Sequence, residues 1–307
     1  MGRIGGWVRS GAAWTALVLA GLSGCSIQQR PPRAALPGDE SEARKGKGEA
    51  IAAALPPVPA DADIPDGPLG LSIQRGRALL EHTGDSLPRH VGSALRCWSC
   101  HLRGGRQAGA IPLVGVYSRF PQYRDRNALV NLIEDRINDC FERSLNGKAL
   151  ARDSREMRDI VAYLAFISRG VPPPGEFPGT GLRRLDPLPA DSGKGRVVFG
   201  ETCARCHGND GGGTPLAPPL WGPRSFNIGA GMARLRSAAA FIRDNMPNDR
   251  AVVLTDQQAY DVAAYLGSRP RPDFAGKEND WPNGNPPPDV PYSTRAAARR
   301  SGTSAKP

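Results

Sequence analysis

Two short stretches of this chain repeat one spacing of reactive side chains: Cys97-Trp98-Ser99-Cys100-His101 and Cys203-Ala204-Arg205-Cys206-His207. Two thiols three positions apart, with an imidazole directly after the second, suit covalent attachment of a haem. Each thiol forms a thioether with a vinyl group, and the histidine reaches the iron. A zinc-binding or dithiol redox C-x-x-C is the rival reading, but it gives no reason for a histidine to follow twice. The expected cofactors are therefore two covalently bound c-type haems, with His101 and His207 each filling one axial position.

The group opposite each histidine sets potential and reactivity. The protein candidates are His82, His90, Cys140, Met157, Met232 and Met246. For the second haem, Met246 precedes Pro247, which biases the methionine backbone towards an extended conformation and presents its thioether from a loop. Met232 is the alternative, with a plain packing role as its simpler reading. A thioether raises the potential, which suits an electron exit. For the first haem, Met157 falls on an apolar helical stripe and reads as core, while His82 and His90 stay open. Cys140 lies in Ala128 to Leu145, where Leu129, Ile133, Ile137 and Phe141 keep helical spacing. Arg136, Cys140 and Ser144 are successive i, i+4 neighbours, which lines up a guanidinium, a sulfur and a hydroxyl on one strip. A nearby cation favours thiolate over thiol. Cys140 as an ordinary buried cysteine, with Arg136 paired to Asp139 instead, fits the spacing equally well.

The elements around the two motifs also repeat. Gly76 to Leu80 precede the first motif as Gly195 to Phe199 precede the second, and both read as the first helix of a small cytochrome c domain. After the second motif, Ala259, Val262, Ala263 and Leu266 follow i, i+3, i+4, i+7 spacing, opened by a Thr255/Gln258 capping box. The first copy has Asp153 and Glu156 in the same relation, then Met157, Ile160, Val161 and Leu164. The chain thus divides into a tether over 25–66, a haem domain over 67–170, a Pro-rich linker over 171–190, a second haem domain over 191–270 and an irregular tail over 271–307. Trp281 is the tail residue able to pin it to a domain. The fold class is mostly α, each core packed around a haem. An aromatic share of only 6% is thin for two small cores, which a large buried cofactor would help to fill.

Residues 1–24 read as an export signal: Arg3 and Arg9, then an apolar run from Ala12 to Leu22 too short to span a bilayer. Leu22-Ser23-Gly24-Cys25 resembles a bacterial lipobox, so Cys25 is the expected lipid anchor; ordinary cleavage nearby is the alternative. No other stretch is long and apolar enough for a transmembrane helix. Removing Arg3 and Arg9 takes the formal charge from +10 to +8. A basic chain suits an anionic substrate, an acidic membrane surface or nucleic acid, and export argues against the last. The expected location is the periplasm, with Ser26 after the anchor favouring the outer membrane.

Several stretches resemble the dihaem thiosulfate dehydrogenase (TsdA-type) family: Tyr123 to Arg126, Glu134 to Gly147, Phe226 to Met232 and Asn245-Met246-Pro247. Trp281 to Gly284 and Asp289 to Tyr292 extend the likeness, which covers about residues 70–292 and is most specific around Cys140. The resemblance implies two class I cytochrome c domains and oxidation of two thiosulfates to tetrathionate. It makes Cys140 the distal ligand of the first, active-site haem and Arg126, Arg136 and Ser144 its anion-binding neighbours. It makes Met246 the distal ligand of the second haem, from which electrons leave for an acceptor such as a small cytochrome c. Some members use a lysine beside that methionine; this chain has Asn245. The competing expectations are a dihaem electron carrier with no substrate site and, less well matched, a dihaem peroxidase.

Overall fold

The computed structural model describes residues 56–250 and 253–300; the signal segment, Cys25 and the tether up to residue 55 lie outside the described residues. Helix α1 (Pro68–Glu81) starts at a proline, whose fixed φ and missing N–H suit the first helical position. Its buried stripe of Gly70, Ile73, Gly76 and Leu80 faces the closing helix of the first domain, Arg155–Ile167. At the crossing, a Cβ on Gly76 would lie 1.9 Å from the Asp159 carbonyl oxygen, so only glycine lets the helices approach this closely.

Between these helices, β1 (Gln122–Arg124) and β2 (Leu129–Asn131) pair antiparallel, with Tyr123 opposite Val130. Helix α2 (Ile133–Asp139) follows and runs into a π-helical turn, Cys140–Ser144. The expected helix from Ala128 to Leu145 is thus shortened at its start. Leu129 is 60% exposed and belongs to the hairpin, so its match to helical spacing is coincidental. Asp135 fixes the true start by accepting the Leu132 N–H at 2.8 Å. Helix α3 (Arg155–Ile167) buries Met157, Ile160 and Leu164 of the expected stripe, as core. Its cap is Ser154 rather than Asp153: the Met157 N–H donates to Ser154 Oγ at 3.1 Å.

The second domain repeats the arrangement. Helix α4 (Ser192–Val198), capped by Asp191, crosses the closing helix Asp256–Gly267 at Gly195, where a Cβ would lie 1.9 Å from the Asp261 carbonyl oxygen. Helix α5 (Leu235–Asn245) stops at Met246, whose backbone is extended. Helix α6 (Asp256–Gly267) opens with the expected box: Gln258 N–H to Thr255 Oγ1 at 3.1 Å and Thr255 N–H to Gln258 Oε1 at 2.8 Å.

Segments from both domains meet. Asn245 is 1% exposed; it accepts from Gln107 at 2.8 Å and donates to the Gly109 carbonyl at 3.0 Å. Asn227 donates to the Glu142 carbonyl and to Asn146. From 271 to 294 the tail has no regular element beyond a short 3-10 turn, yet Asp280, Trp281 and Thr294 are buried; helix α7 (Arg295–Arg300) follows. Trp281 does pin the tail, its N–H donating to the Arg126 carbonyl at 2.7 Å. Among the described residues the architecture is mostly helical with a two-stranded sheet, and no helix is long and apolar enough to cross a membrane.

Candidate functional site

Both motif histidines have one ring nitrogen engaged. His101 Nδ1 lies 2.6 Å from the Ile111 carbonyl and His207 Nδ1 2.8 Å from the Pro218 carbonyl. A carbonyl only accepts, so each Nδ1 carries the proton and each Nε2 keeps a lone pair for a metal. Burial reinforces the neutral form, pushing His101 down to about 4 and His207 down as well. It also pushes the Cys97 and Cys100 thiols up to about 12 and Cys203 to about 11. All five described cysteines are free of disulfides.

A cavity of about 1390 Å³ is lined by Cys100 of the first motif and by Cys203, Cys206, His207, Met232 and Met246. It exceeds the roughly 300–1,000 Å³ of ordinary small-molecule sites and has room for a macrocycle. Arg271 also lines it; its Nη1 is buried without a partner, and burial lowers its guanidinium to about 10. A lone buried cation of this kind needs an anion, and the carboxylates of a haem supply one. The residues present therefore fit the group. Met246 and Met232 both face this cavity, so position alone leaves two thioethers beside the second motif. Of the other candidates, Met157 is core, His82 is exposed at the end of α1 yet also lines this cavity, and His90 Nδ1 contacts the Lys148 and Ala149 carbonyls.

Cys140 begins the π-helical turn after α2. Arg136 Nη1 donates to its Sγ at 3.0 Å and also to Asp139 Oδ2 at 3.2 Å, so the two pairings that spacing left as alternatives coexist. The sulfur, more than Asp139, raises the Arg136 guanidinium above its ordinary value against the cost of burial. Cys140 is near enough to Cys97 and Cys100 to raise both, and Arg136 near enough to His101 to lower it. Sulfur and guanidinium thus lie within electrostatic reach of the first haem motif.

Beside them opens a second cavity of about 360 Å³, lined by Arg124, Arg126, Arg136, Arg143 and Arg234, with Ser144 at its wall. Arg126 is lowered by burial and by Arg143, and Arg124 by burial and by Arg136, which marks an excess of positive charge. The structure brings Arg126, Arg136 and Ser144 to one pocket next to Cys140. Spacing did not reveal Arg234, Asp280 or Trp281, because they arrive from separate stretches of chain, while Arg124 and Arg143 lie unremarked beside Arg126 and Ser144. The Tyr123 to Arg126 and Trp281 to Gly284 stretches were the available signals.

Residues 90–172 match the SoxA/TsdA cytochrome c domain, and residues 190–266 match the cytochrome c oxidase cbb3-type subunit III family. A thiosulfate dehydrogenase of Psychrobacter arcticus is 42% identical over 240 residues, 76% of this chain and 73% of that one. One from Allochromatium vinosum is 45% identical over 234 residues, 73% of this chain and 87% of that one. The solved TsdBA thiosulfate dehydrogenase of Marichromatium purpuratum aligns with a TM-score of 0.69 at 36% identity over 74% of this chain; the present chain spans about half of that one, 52%. Two cytochrome c domains carry two c-type haems, with the cysteines and histidines of both motifs at hand to hold them. Sequence likeness over most of the chain and the shared fold lead to one assignment: this chain belongs to the thiosulfate dehydrogenase family.

Proposed function

We propose that this chain oxidises two thiosulfates to tetrathionate at a haem held by His101 and Cys140. His207 and Met246 would hold the second haem, which would supply the electron exit to an external acceptor such as a small cytochrome c. The observation that carries the reading is the Cys140 sulfur bonded to Arg136 at the border of a five-arginine pocket, within electrostatic reach of Cys97, Cys100 and His101. When bound, each haem supplies a one-electron acceptor, so the pair matches the two electrons that S–S bond formation releases.

The rest of the work falls to side chains. Two thiosulfate dianions repel one another, and at ~4 Å even two like unit charges repel by about 4 kcal/mol at an effective dielectric of 20. Arg126 and Arg136 offset that repulsion in a partly shielded pocket, and Ser144 offers a hydroxyl donor. Arg136 donates to the Cys140 sulfur at 3.0 Å and keeps a cation beside it. A Cys140 thiolate can bond the outer sulfur of one thiosulfate with loss of two electrons, giving a cysteine thiosulfonate. Attack by the second thiosulfate on that outer sulfur releases tetrathionate and restores the thiolate, which balances atoms and charge. The physiological setting we propose is the periplasm, with Cys25 as lipid anchor.

The test is thiosulfate-dependent reduction of an artificial acceptor by wild type and Cys140→Gly, with haem attachment followed by absorbance. Loss of turnover with both haems retained supports the reading. Full turnover in the variant rejects Cys140 as the reacting group. A wild type inert to thiosulfate leaves the dihaem carrier.

A further inference from the structure

The pocket arginines come from separated stretches: Arg124 and Arg126 from the hairpin, Arg136 and Arg143 from α2 and its π-helical turn, Arg234 from just before α5. Guanidiniums this close repel, and something must hold them. Asp139 does part of this, taking Arg136 at 3.2 Å and Arg143 at 2.5 Å.

The remainder comes from beyond the second haem domain. Buried Asp280 accepts two hydrogen bonds from Arg143, both at 2.8 Å, and lies 4.0 Å from Arg126 Nε. The Tyr292 hydroxyl donates to the same carboxylate at 2.6 Å and fixes it from behind. Buried Trp281 holds Arg126 at two points: its ring lies 4.7 Å from the guanidinium carbon, and its backbone N–H donates to the Arg126 carbonyl at 2.7 Å. Asn283 donates to the Tyr123 hydroxyl at 3.2 Å, tying the same segment to the hairpin. Trp281 has φ of +52°, a left-handed conformation that a bulky side chain keeps only where its surroundings enforce it.

We propose that residues 274–292 form a strap that assembles the oxyanion pocket, with Asp280 and Trp281 as positioning residues acting through Arg143 and Arg126. The proposal rests on the reading of this pocket as the thiosulfate site. The sign of the charge supports a role in positioning. A carboxylate beside an anion pocket weakens the attraction for anions, so Asp280 has no use there as a binding group. Its two bonds instead aim Arg143, and Trp281 aims Arg126.

The experiment is a double-variant cycle on the dihaem protein: Arg126→Lys, Trp281→Gly and both together, with thiosulfate kcat and KM and calorimetric thiosulfate binding. Glycine takes φ of +52° without strain, so Trp281→Gly removes the ring and relieves the backbone. We expect Trp281→Gly to lower kcat/KM tenfold or more, Trp281→Phe to recover most of it, and the double variant to match Arg126→Lys within about twofold. Multiplying losses overturn the proposal. Should Trp281→Gly fail to load haem, Asp280→Asn carries the test: kcat falls at least tenfold while thiosulfate Kd is unchanged or tighter. An unchanged kcat, or a weakened Kd with normal kcat, overturns it. A wild type inert to thiosulfate removes the pocket reading and the strap with it. An active wild type crippled by Arg126→Lys but indifferent to both strap variants removes the strap alone.

Discussion

In the first domain α1 crosses α3 at Gly76, and in the second α4 crosses α6 at Gly195; in both, a Cβ would fall 1.9 Å from a backbone carbonyl, of Asp159 and Asp261. Both motif histidines lock one ring nitrogen to a carbonyl. The domains diverge between motif and closing helix. The first inserts a hairpin and a π-helical turn that gather Cys140 and guanidiniums at an open pocket. The second inserts α5, whose Ala238 and Ile242 pack with Met246 in an apolar cluster. The common frame is what holding a haem demands. In the proposed function, the divergent insert of the first domain is what lets a small anion approach.

Remaking the first site in the image of the second tests that division most severely. Cys140→Met should lower thiosulfate turnover by about 10³-fold or more, the scale on which removal of a reacting nucleophile acts. Both haems should stay attached, and low-temperature EPR should lose its thiolate/histidine signature. Arg136→Ala should cost about 10²–10³-fold, like the removal of other preorganised charge stabilisers, with no change in the second haem's spectrum.

The glycines probe the shared frame instead. Gly76→Ala and Gly195→Ala should each destabilise by about 3 kcal/mol, the upper range for overpacking, because the obstacle is backbone. Denaturant unfolding of the haem-loaded protein measures this. A large loss at one glycine and none at the other would break the equivalence of the two crossings.

Asn245 links the halves. Its amide bridges Gln107 and the Gly109 carbonyl, two residues before the carbonyl that holds His101, and the next residue is Met246. Asn245→Ala leaves the buried Gly109 carbonyl unsatisfied, at about 1–3 kcal/mol, and the half-buried Gln107 amide without this partner. With Met246 as the proposed ligand of the second haem, the expected spectroscopic change is confined to that haem, because Met246 directly follows the bridging residue. An unchanged ligation signature would make Asn245 a structural bridge only.

Local rules were legible where the responsible contacts are local. The Thr255 box, the apolar stripes of α3 and α6, and the contact of Arg136 with Cys140 all depend on neighbours within one or two turns. The Ala128 to Leu145 helix was misread because Leu129 has helical spacing to Ile133 but pairs across a hairpin with Arg124. The pocket was legible only in part, since Arg234, Asp280 and Trp281 reach it through tertiary packing that no periodicity encodes. The bridge through Asn245 was hidden for the same reason: one buried amide, with partners far away in sequence.

The smallest effect separates the two closing helices by their caps. Ser154 accepts one hydrogen bond from the Met157 N–H, and no bond returns from a residue at the third position. Thr255 accepts from Gln258 and is answered by the Gln258 side chain, so two orphan donors are satisfied. Ser154→Ala should cost about 1 kcal/mol and Thr255→Ala about 1–2 kcal/mol, within the range of helix caps. Gln258→Ala should weaken α6 by part of the Thr255 loss, whereas Met157→Leu in α3 should leave the cap untouched, because its contribution there is a backbone N–H. Equal losses at Ser154 and Thr255 would mean that the reciprocal bond adds nothing once α6 is packed against α4 and α5.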